Sequence, residues 1–315
     1  MSIKLSKKTA VLLIGFGGPS RPEEVRPFLE SVLKGVRIPQ ERFDEVLRHY
    51  EAIGGVSLYN VSTQWQKDAL QKWFEKKQVP LSVGVGFRHS FPSFKDSFEI
   101  LKKYGVEKVI GFVLSPLRCY SSFEKYMDRV EEGRKEATAQ NIEITCTGSF
   151  YDHPLFIEAQ TKKLEAVLSD LSSGGRKETF VLFSAHSIPV EMSDKSGYAS
   201  QFRTASALVA GCLGLKTWEC AYQSRSGDPS QPWLSPDVKE NLASIKKNGF
   251  RNVVLVPIGF LCDNVEVKYD LDVEVKNVCE EIGLRYLRAA TVADDPLFIE
   301  MMGQQIVNAV QKVSA

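Results

Sequence analysis

The sequence predicts an α/β protein of two similar domains, each a parallel sheet covered by helices on both faces. Three observations predict it. Short apolar runs alternate with longer amphipathic segments along all 315 residues. The runs are continuously apolar rather than alternating, as expected of strands buried on both faces. The pattern also repeats. Each half holds roughly four strand candidates, and each contains a strand, a helix and then a glycine before an apolar residue (Tyr104-Gly-Val106 and Asn248-Gly-Phe250).

In order, strands are expected at 10–16, 81–87, 109–114, 142–147, 180–184, 218–221, 253–257 and 285–288. A helix over 61–77 would place Trp65, Ala69, Leu70, Trp73 and Phe74 on one face. Another over 94–104 is closed by Gly105, and a third over 236–247 is followed by Gly249. The domains are placed at 1–150 and 151–315. No long low-complexity linker separates them, so they pack closely, and the cleft between them is the expected ligand site.

Forty basic against thirty-nine acidic residues leave a net charge of +1, which carries no nucleic-acid footprint. No segment approaches the length of a transmembrane helix. The short apolar run at the N-terminus ends in Gly17-Gly18-Pro19 without a cleavage pattern and reads as a first strand, not a signal peptide. A cytoplasmic protein is expected. The six cysteines (119, 146, 212, 220, 262, 279) include no close pair. Zinc and iron–sulfur sites use short spacings, so these read as mostly buried free thiols in a reducing compartment.

His186 is the strongest candidate for chemistry. It closes the apolar run that starts at Thr179, and the carboxyl end of such a strand faces the ligand crevice. Ser184 and Ser187 flank it. The competing reading is a structural histidine. The segment 263–281 is the second candidate. As an α-helix turning about 100° per residue, it would align Asp263, Glu266, Asp270 and Glu274 within an arc of about 80°, along about 16 Å. Asp272 points elsewhere. Its other faces carry mostly valine, with Tyr269 and Leu271, which implies burial. A buried carboxylate row needs cations, protons or water. Neighbouring carboxylates raise one another's pKa, which suits proton carriage. The competing reading is a solvated helix face.

Three further motifs stand at strand ends. Arg88 and His89 follow the second strand, where a helix-capping loop is the alternative. Gly15-Phe16-Gly17-Gly18 follows the first strand but lacks the spacing of a dinucleotide turn and the Lys-Ser/Thr ending of a P-loop. Nucleotide binding is rejected there; the glycines are expected to let a flat ligand approach the backbone. Trp233 lies in a turn-rich loop, as core packing or as a platform for an aromatic ligand.

Taken in order, these blocks resemble the ferrochelatases over nearly the whole chain. Leu12-Leu-Ile-Gly-Phe-Gly-Gly-Pro19 with Glu23-Glu-Val-Arg-Pro-Phe-Leu29 is similar to the family's opening. Tyr50-Glu-Ala-Ile-Gly-Gly-Val-Ser57, Gly86-Phe-Arg-His-Ser-Phe-Pro92 and Ser184-Ala-His-Ser-Ile-Pro189 follow. Gln223-Ser-Arg225 with Pro232-Trp-Leu-Ser-Pro236 comes next, and Val256-Pro-Ile-Gly-Phe260 with Val265-Glu-Val-Lys-Tyr-Asp270 completes the set. No block decides alone; six in order are specific.

The resemblance implies two Rossmann-like domains with a porphyrin cleft between them, and insertion of ferrous iron with loss of two pyrrole protons. It implies His186 and Glu266 as the catalytic pair facing each other across the cleft, with Asp270 and Glu274 extending the metal-binding line away from the ring. Phe16, Phe123 and Trp233 would line the macrocycle, and Arg88, His89 and Arg26 would stand near its polar edge. A π-helical turn is implied in the acidic segment. A lip in the first domain and a terminal helix packed back on that domain are also expected.

Departures from the family pattern refine this. Asn264 stands where relatives often carry histidine. Phe16 stands where coproporphyrin-using relatives tend to place tyrosine, which favours protoporphyrin IX. No cysteine-bearing extension or close cysteine set is present, so no iron–sulfur cluster is expected. Iron enters as substrate, no permanent cofactor is expected, and the porphyrin and iron are the partners of a monomer. The apolar residues of 28–43 fit either a lip touching the membrane surface transiently or an ordinary amphipathic helix and loop. The alternatives are a coproporphyrin III ferrochelatase, a chelatase for another tetrapyrrole, and a non-catalytic porphyrin or haem carrier.

Overall fold

The structure, a computed structural model, describes residues 7–34, 40–226 and 230–314. Its first sheet holds β1 (Thr9–Gly15), β2 (Ser82–Phe87), β3 (Lys108–Val113) and β4 (Glu143–Cys146) in the order β2-β1-β3-β4. The second holds β5 (Thr179–His186), β6 (Trp218–Gln223), β7 (Asn252–Val256) and β8 (Arg285–Arg288) in the order β6-β5-β7-β8. All neighbours are parallel. Every residue of β1, β3 and β7 is buried, which is why these strands read as unbroken apolar runs.

The helices of the first half are α1 (Val25–Val32), α2 (Gln40–Ala52), α3 (Tyr59–Lys76), α4 (Phe94–Lys103) and α5 (Lys125–Glu136). Those of the second are α6 (Pro154–Ser169), α7 (Ser173–Lys177), α8 (Val190–Ser196), α9 (Tyr198–Cys212), α10 (Val238–Lys247), α11 (Lys276–Glu281) and α12 (Pro296–Ser314). These are two Rossmann-like domains with one strand order. Helices α4 and α10 even share their ends. Ser93 with Asp96, and Asp237 with Glu240, form capping boxes at their starts. Gly105 and Gly249 follow with φ of 65° and 88°, which only glycine adopts without strain.

The two halves share one core. It runs from Val11 and Phe112 in the first sheet through Phe150, Phe156 and Phe298 to Phe183 and Val256 in the second. Helix α12 lies against both α3 and α6. The Trp73 indole N–H donates to Glu300 at 2.5 Å, and Gln66 donates to the Ala293 carbonyl at 2.9 Å. So the last helix of the chain returns to the first half.

One expectation needs correcting. Trp65 does not join the buried face of α3; it is exposed, and the face turned inward carries Thr63, Gln66, Leu70 and Phe74. The polar part of that face lines the ligand cavity rather than the core, so hydrophobic periodicity misplaces it. The segment 28–43 is described only in part, and its Phe28 stands in the cavity wall. Phe28 and Leu29 are buried in a small core with Tyr50, against which Val32 and Phe43 pack. Val36 and Ile38 lie outside the described residues.

A Cβ on Gly303 would sit 2.6 Å from the Trp73 ring, so α12 reaches α3 only because this position has no side chain. Gly303→Val is expected to cost about 2–3 kcal/mol of stability, read by urea unfolding followed through tryptophan fluorescence.

Candidate active site

In this strand order the sheet reverses its direction of growth between β1 and β3, and again between β5 and β7. Crevices open beyond the carboxyl ends at such points. Here the two crevices face each other. Residues after β1 (16–17), β3 (114–117), β5 (187–189) and β7 (259–262) line one cavity of about 410 Å³, together with His186 at the end of β5. That volume suits a small organic ligand.

His186 pairs in register with Gln223 and is the last residue of its strand. Tyr198 donates its hydroxyl proton to the His186 carbonyl at 3.0 Å, fixing the strand end. Nδ1 lies 2.5 Å from the Ser187 carbonyl oxygen. Only an N–H can bond a carbonyl, so Nδ1 carries the proton and Nε2 keeps its lone pair. Burial pushes the imidazole pKa down, opposed by the Ser187 bond and the Asp270 charge. The ring is thus a neutral base with a fixed tautomer.

Glu266 stands in the cavity wall beyond β7. Burial raises its carboxyl above the ordinary range, partly offset by its own backbone N–H. It begins a π-helical segment, Glu266–Val275. The implied single turn is therefore ten residues long, and the expected α register is replaced. Asn264 accepts the Val267 N–H at 3.1 Å and so caps the segment. Val267, Leu271 and Val275 form its fully buried row, and Glu266, Asp270 and Glu274 form the row beside it.

Asp263 is not part of that row. It receives Arg288 at 2.8 Å and Thr291 at 2.9 Å. Asp272 takes the same guanidinium at 2.6 Å. Arg288 thus ties the acidic segment to β8 at two points, and these two carboxylates are anchors. Asp270 and Glu274 lie outside the cavity lining, leading away from Glu266. Glu274 is paired with Lys239 at 3.0 Å. Among the described residues, no three His, Cys, Asp or Glu side chains gather into a ready metal ligand set. His186, Glu266, Asp270 and Glu274 do not gather into a coordination cage.

Phe16, Arg88 and Trp233 line the cavity. The Arg88 Nε and the Trp233 indole nitrogen are buried donors with no partner in the protein. Burying a donor unpaired is costly, so both are available to a ligand's acceptors. His89 and Phe123 are not in the wall. His89 packs behind Phe16, with ring centres 4.7 Å apart, and bonds Ser31 at 3.0 Å. Burial, then the charges of Arg88 and Arg129, push its pKa to about 3, so it is no working base near neutrality. Phe123 is covered by the Arg118 guanidinium, 3.9 Å from its ring centre. Arg26 is exposed, 5.2 Å over the Phe43 ring. The glycine turn also serves a different purpose. Cβ atoms on Gly17 and Gly18 would strike Ser90 and Ser57, so these glycines admit neighbouring loops rather than a ligand.

Several site residues escaped sequence reasoning. Tyr59 is half-buried, and its hydroxyl receives the Phe16 N–H at 3.0 Å, which sets the β1 turn. Tyr198 acts through the backbone carbonyl of His186, and Gln223, picked out in the sequence only as part of a family block, acts through that of Glu266; no sequence pattern marks such contacts.

Comparison with known proteins decides what this cleft belongs to. The family model named Ferrochelatase matches residues 8–310. The chain belongs to the ferrochelatase family. It is thus an enzyme of the porphyrin metal chelatase type, a lyase. It is 37% identical over 292 residues to a ferrochelatase of Rhodopirellula baltica, covering 92% of this chain and 83% of that one. It is 35% identical over 305 residues to a coproporphyrin III ferrochelatase of Mycobacteroides abscessus, covering 96% and 88%. Among solved structures it resembles the sirohydrochlorin chelatase SirB of Bacillus subtilis subspecies spizizenii in complex with cobalt. The TM-score is 0.58 at 11% identity, covering 96% of each chain. That likeness shows the fold alone. No helix among the described residues is long and apolar enough to cross a membrane.

Asp270 sets a pH dependence. Burial, with Glu266 and Glu274 adding to it, raises its pKa to about 7 against Ser224, which lowers it. A carboxyl that binds its proton more tightly when folded favours folding at low pH and loses that advantage as pH rises through the folded pKa. The structure should therefore lose stability between about pH 4 and about pH 7. Asp270→Asn is expected to be more stable than the parent by about 2–4 kcal/mol at about pH 8 and equal to it near pH 4, measured by urea unfolding.

Proposed function

We propose that the chain inserts ferrous iron into protoporphyrin IX, with His186 as the base that accepts a pyrrole proton. The observation that carries the reading is the His186 tautomer. Its Nδ1 proton is committed to the Ser187 carbonyl, so Nε2 is the unprotonated nitrogen of a residue in the cavity wall. Glu266 is in the same wall, its carboxyl raised by burial.

The overall change balances. A free-base porphyrin carries two N–H protons; ferrous iron replaces both, and two protons leave. His186 takes one at Nε2, and Glu266 shares in the transfer or guides the metal. Asp270, with a pKa near 7, carries a proton onward along the row. Since Nδ1 stays bonded throughout, the imidazolium formed keeps its place. The cavity is lined mainly by apolar and aromatic groups that hold the macrocycle between the halves, where a cleft that favours a bent ring exposes the nitrogen lone pairs.

The cavity wall also bears on substrate choice. Arg88 is its one cationic side chain among the described residues. Protoporphyrin IX brings two propionates and coproporphyrin III four, and each buried carboxylate needs a donor or water. Phe16 and the single cation favour protoporphyrin IX. Coproporphyrin III is the second reading, since relatives at 35% identity carry that name.

The test is anaerobic turnover with ferrous iron and each porphyrin, followed by loss of porphyrin fluorescence and appearance of haem. The expected result is turnover of protoporphyrin IX with kcat/KM at least about tenfold above coproporphyrin III. His186→Ala should lower kcat by about a hundredfold or more, and Glu266→Gln by about tenfold or more. A preference for coproporphyrin III would reverse the substrate choice. Tight binding of both porphyrins without turnover would make the protein a carrier.

A further inference from the structure

We propose that Ser224 is a positioning residue that holds the acidic row in register with His186. The inference rests on the roles given above to His186, Glu266 and Asp270.

Strand β6 ends at Gln223, directly beside His186 in the sheet. Two bonds extend from this strand end to the π-helical segment. The Gln223 side chain donates to the Glu266 carbonyl at 2.9 Å. The Ser224 hydroxyl donates to the Asp270 carboxylate in a short bond. A third bond closes the set, from the Ser187 N–H to the Gln223 carbonyl at 2.7 Å. His186, Glu266 and Asp270 are thereby referred to one point, the end of β6.

Ser224 stands there at a conformational cost. Its φ is 61°, in the left-handed region that glycine occupies freely and other residues avoid. Glycine would relieve the backbone but would leave Asp270 without this donor. The left-handed turn is what brings the hydroxyl round to the carboxylate. Strain of this kind persists where surrounding structure holds it, and it concentrates at functional sites. The segment being held also needs holding. A π-helix is rare and usually a single turn, whereas this one runs for ten residues. A slip to α register would move Asp270 relative to Glu266 and break the Ser224 bond. Ser224 itself does not line the cavity. Its loss should therefore disturb the metal and proton side of the reaction, not the grip on the porphyrin.

The experiment uses the full chain and the variants Ser224→Ala, Ser224→Gly and Ser224→Asn. Asparagine tolerates the left-handed region and carries an N–H donor. Two readouts are taken: iron dependence at saturating porphyrin, with porphyrin affinity measured separately by fluorescence, and hydrogen–deuterium exchange over 266–275. Ser224→Ala and Ser224→Gly should lower kcat/KM for ferrous iron by about tenfold to a hundredfold, with porphyrin affinity changed less than about twofold. Both should speed exchange in the segment. Ser224→Asn should return within about threefold of the parent on both readouts. Unchanged iron dependence and exchange in Ser224→Ala would overturn the inference. So would recovery in Ser224→Gly, because the backbone rather than the hydroxyl would then matter. If instead His186→Ala and Glu266→Gln keep full activity, the functional reading fails, and the exchange contrast alone still decides whether Ser224 holds the row.

Discussion

The bond from His186 Nδ1 to the Ser187 carbonyl organises the site. A histidine in an apolar cleft has three protonation states, the imidazolium and two neutral tautomers, and only one of the three offers a lone pair from Nε2. Burial removes the charged state, and the carbonyl removes the other neutral tautomer. The carbonyl is available because β5 ends at His186 and the chain turns at once through Ser187, whose N–H is held by Gln223. Tyr198 secures the same turn from α9. The base is a product of how one parallel strand terminates.

The rest of the cleft answers to the same constraint. A neutral base is useful only if the departing proton has somewhere to go. In the proposed reaction the Glu266, Asp270 and Glu274 row supplies it, rising beside the buried Val267, Leu271 and Val275. That segment is fastened from outside on two sides: by Arg288 through Asp263 and Asp272, and by β6 through Gln223 and Ser224. Burial raises the carboxyl pKa of Glu266 and Asp270, which keeps negative charge from accumulating where the imidazole must stay neutral until substrate arrives. The first half supplies much of the apolar wall and the buried unpartnered Arg88 donor.

Much of this was legible in the sequence, and the reason is physical. Parallel strands buried on both faces leave unbroken apolar runs, so every strand was found within a few residues. The carboxyl end of a central strand is a ligand position in any doubly wound sheet, so His186 stood out with no relative in view. Acidic residues recurring at intervals of four between valines marked the row. What sequence could not show depends on contacts made at long range. Asp263 matches the row by spacing but is claimed by Arg288, twenty-five positions later. His89 and Phe123 follow the right strands but turn away, His89 packing behind Phe16 and Phe123 lying beneath Arg118. Trp65 fits the apolar stripe of α3 yet is exposed, because the inward face there meets a cavity and is polar. The π register has no signature in composition at all.

The central claim is that His186 is neutral, with its proton on Nδ1, before substrate arrives. The most direct measurement is the nitrogen NMR spectrum of histidine-labelled protein across pH, with His186 assigned by comparison with His186→Ala. The account predicts a protonated Nδ1, an unprotonated Nε2 and an apparent pKa below the ordinary 6.5. An imidazolium at neutral pH, or a proton on Nε2 in the free protein, would contradict it.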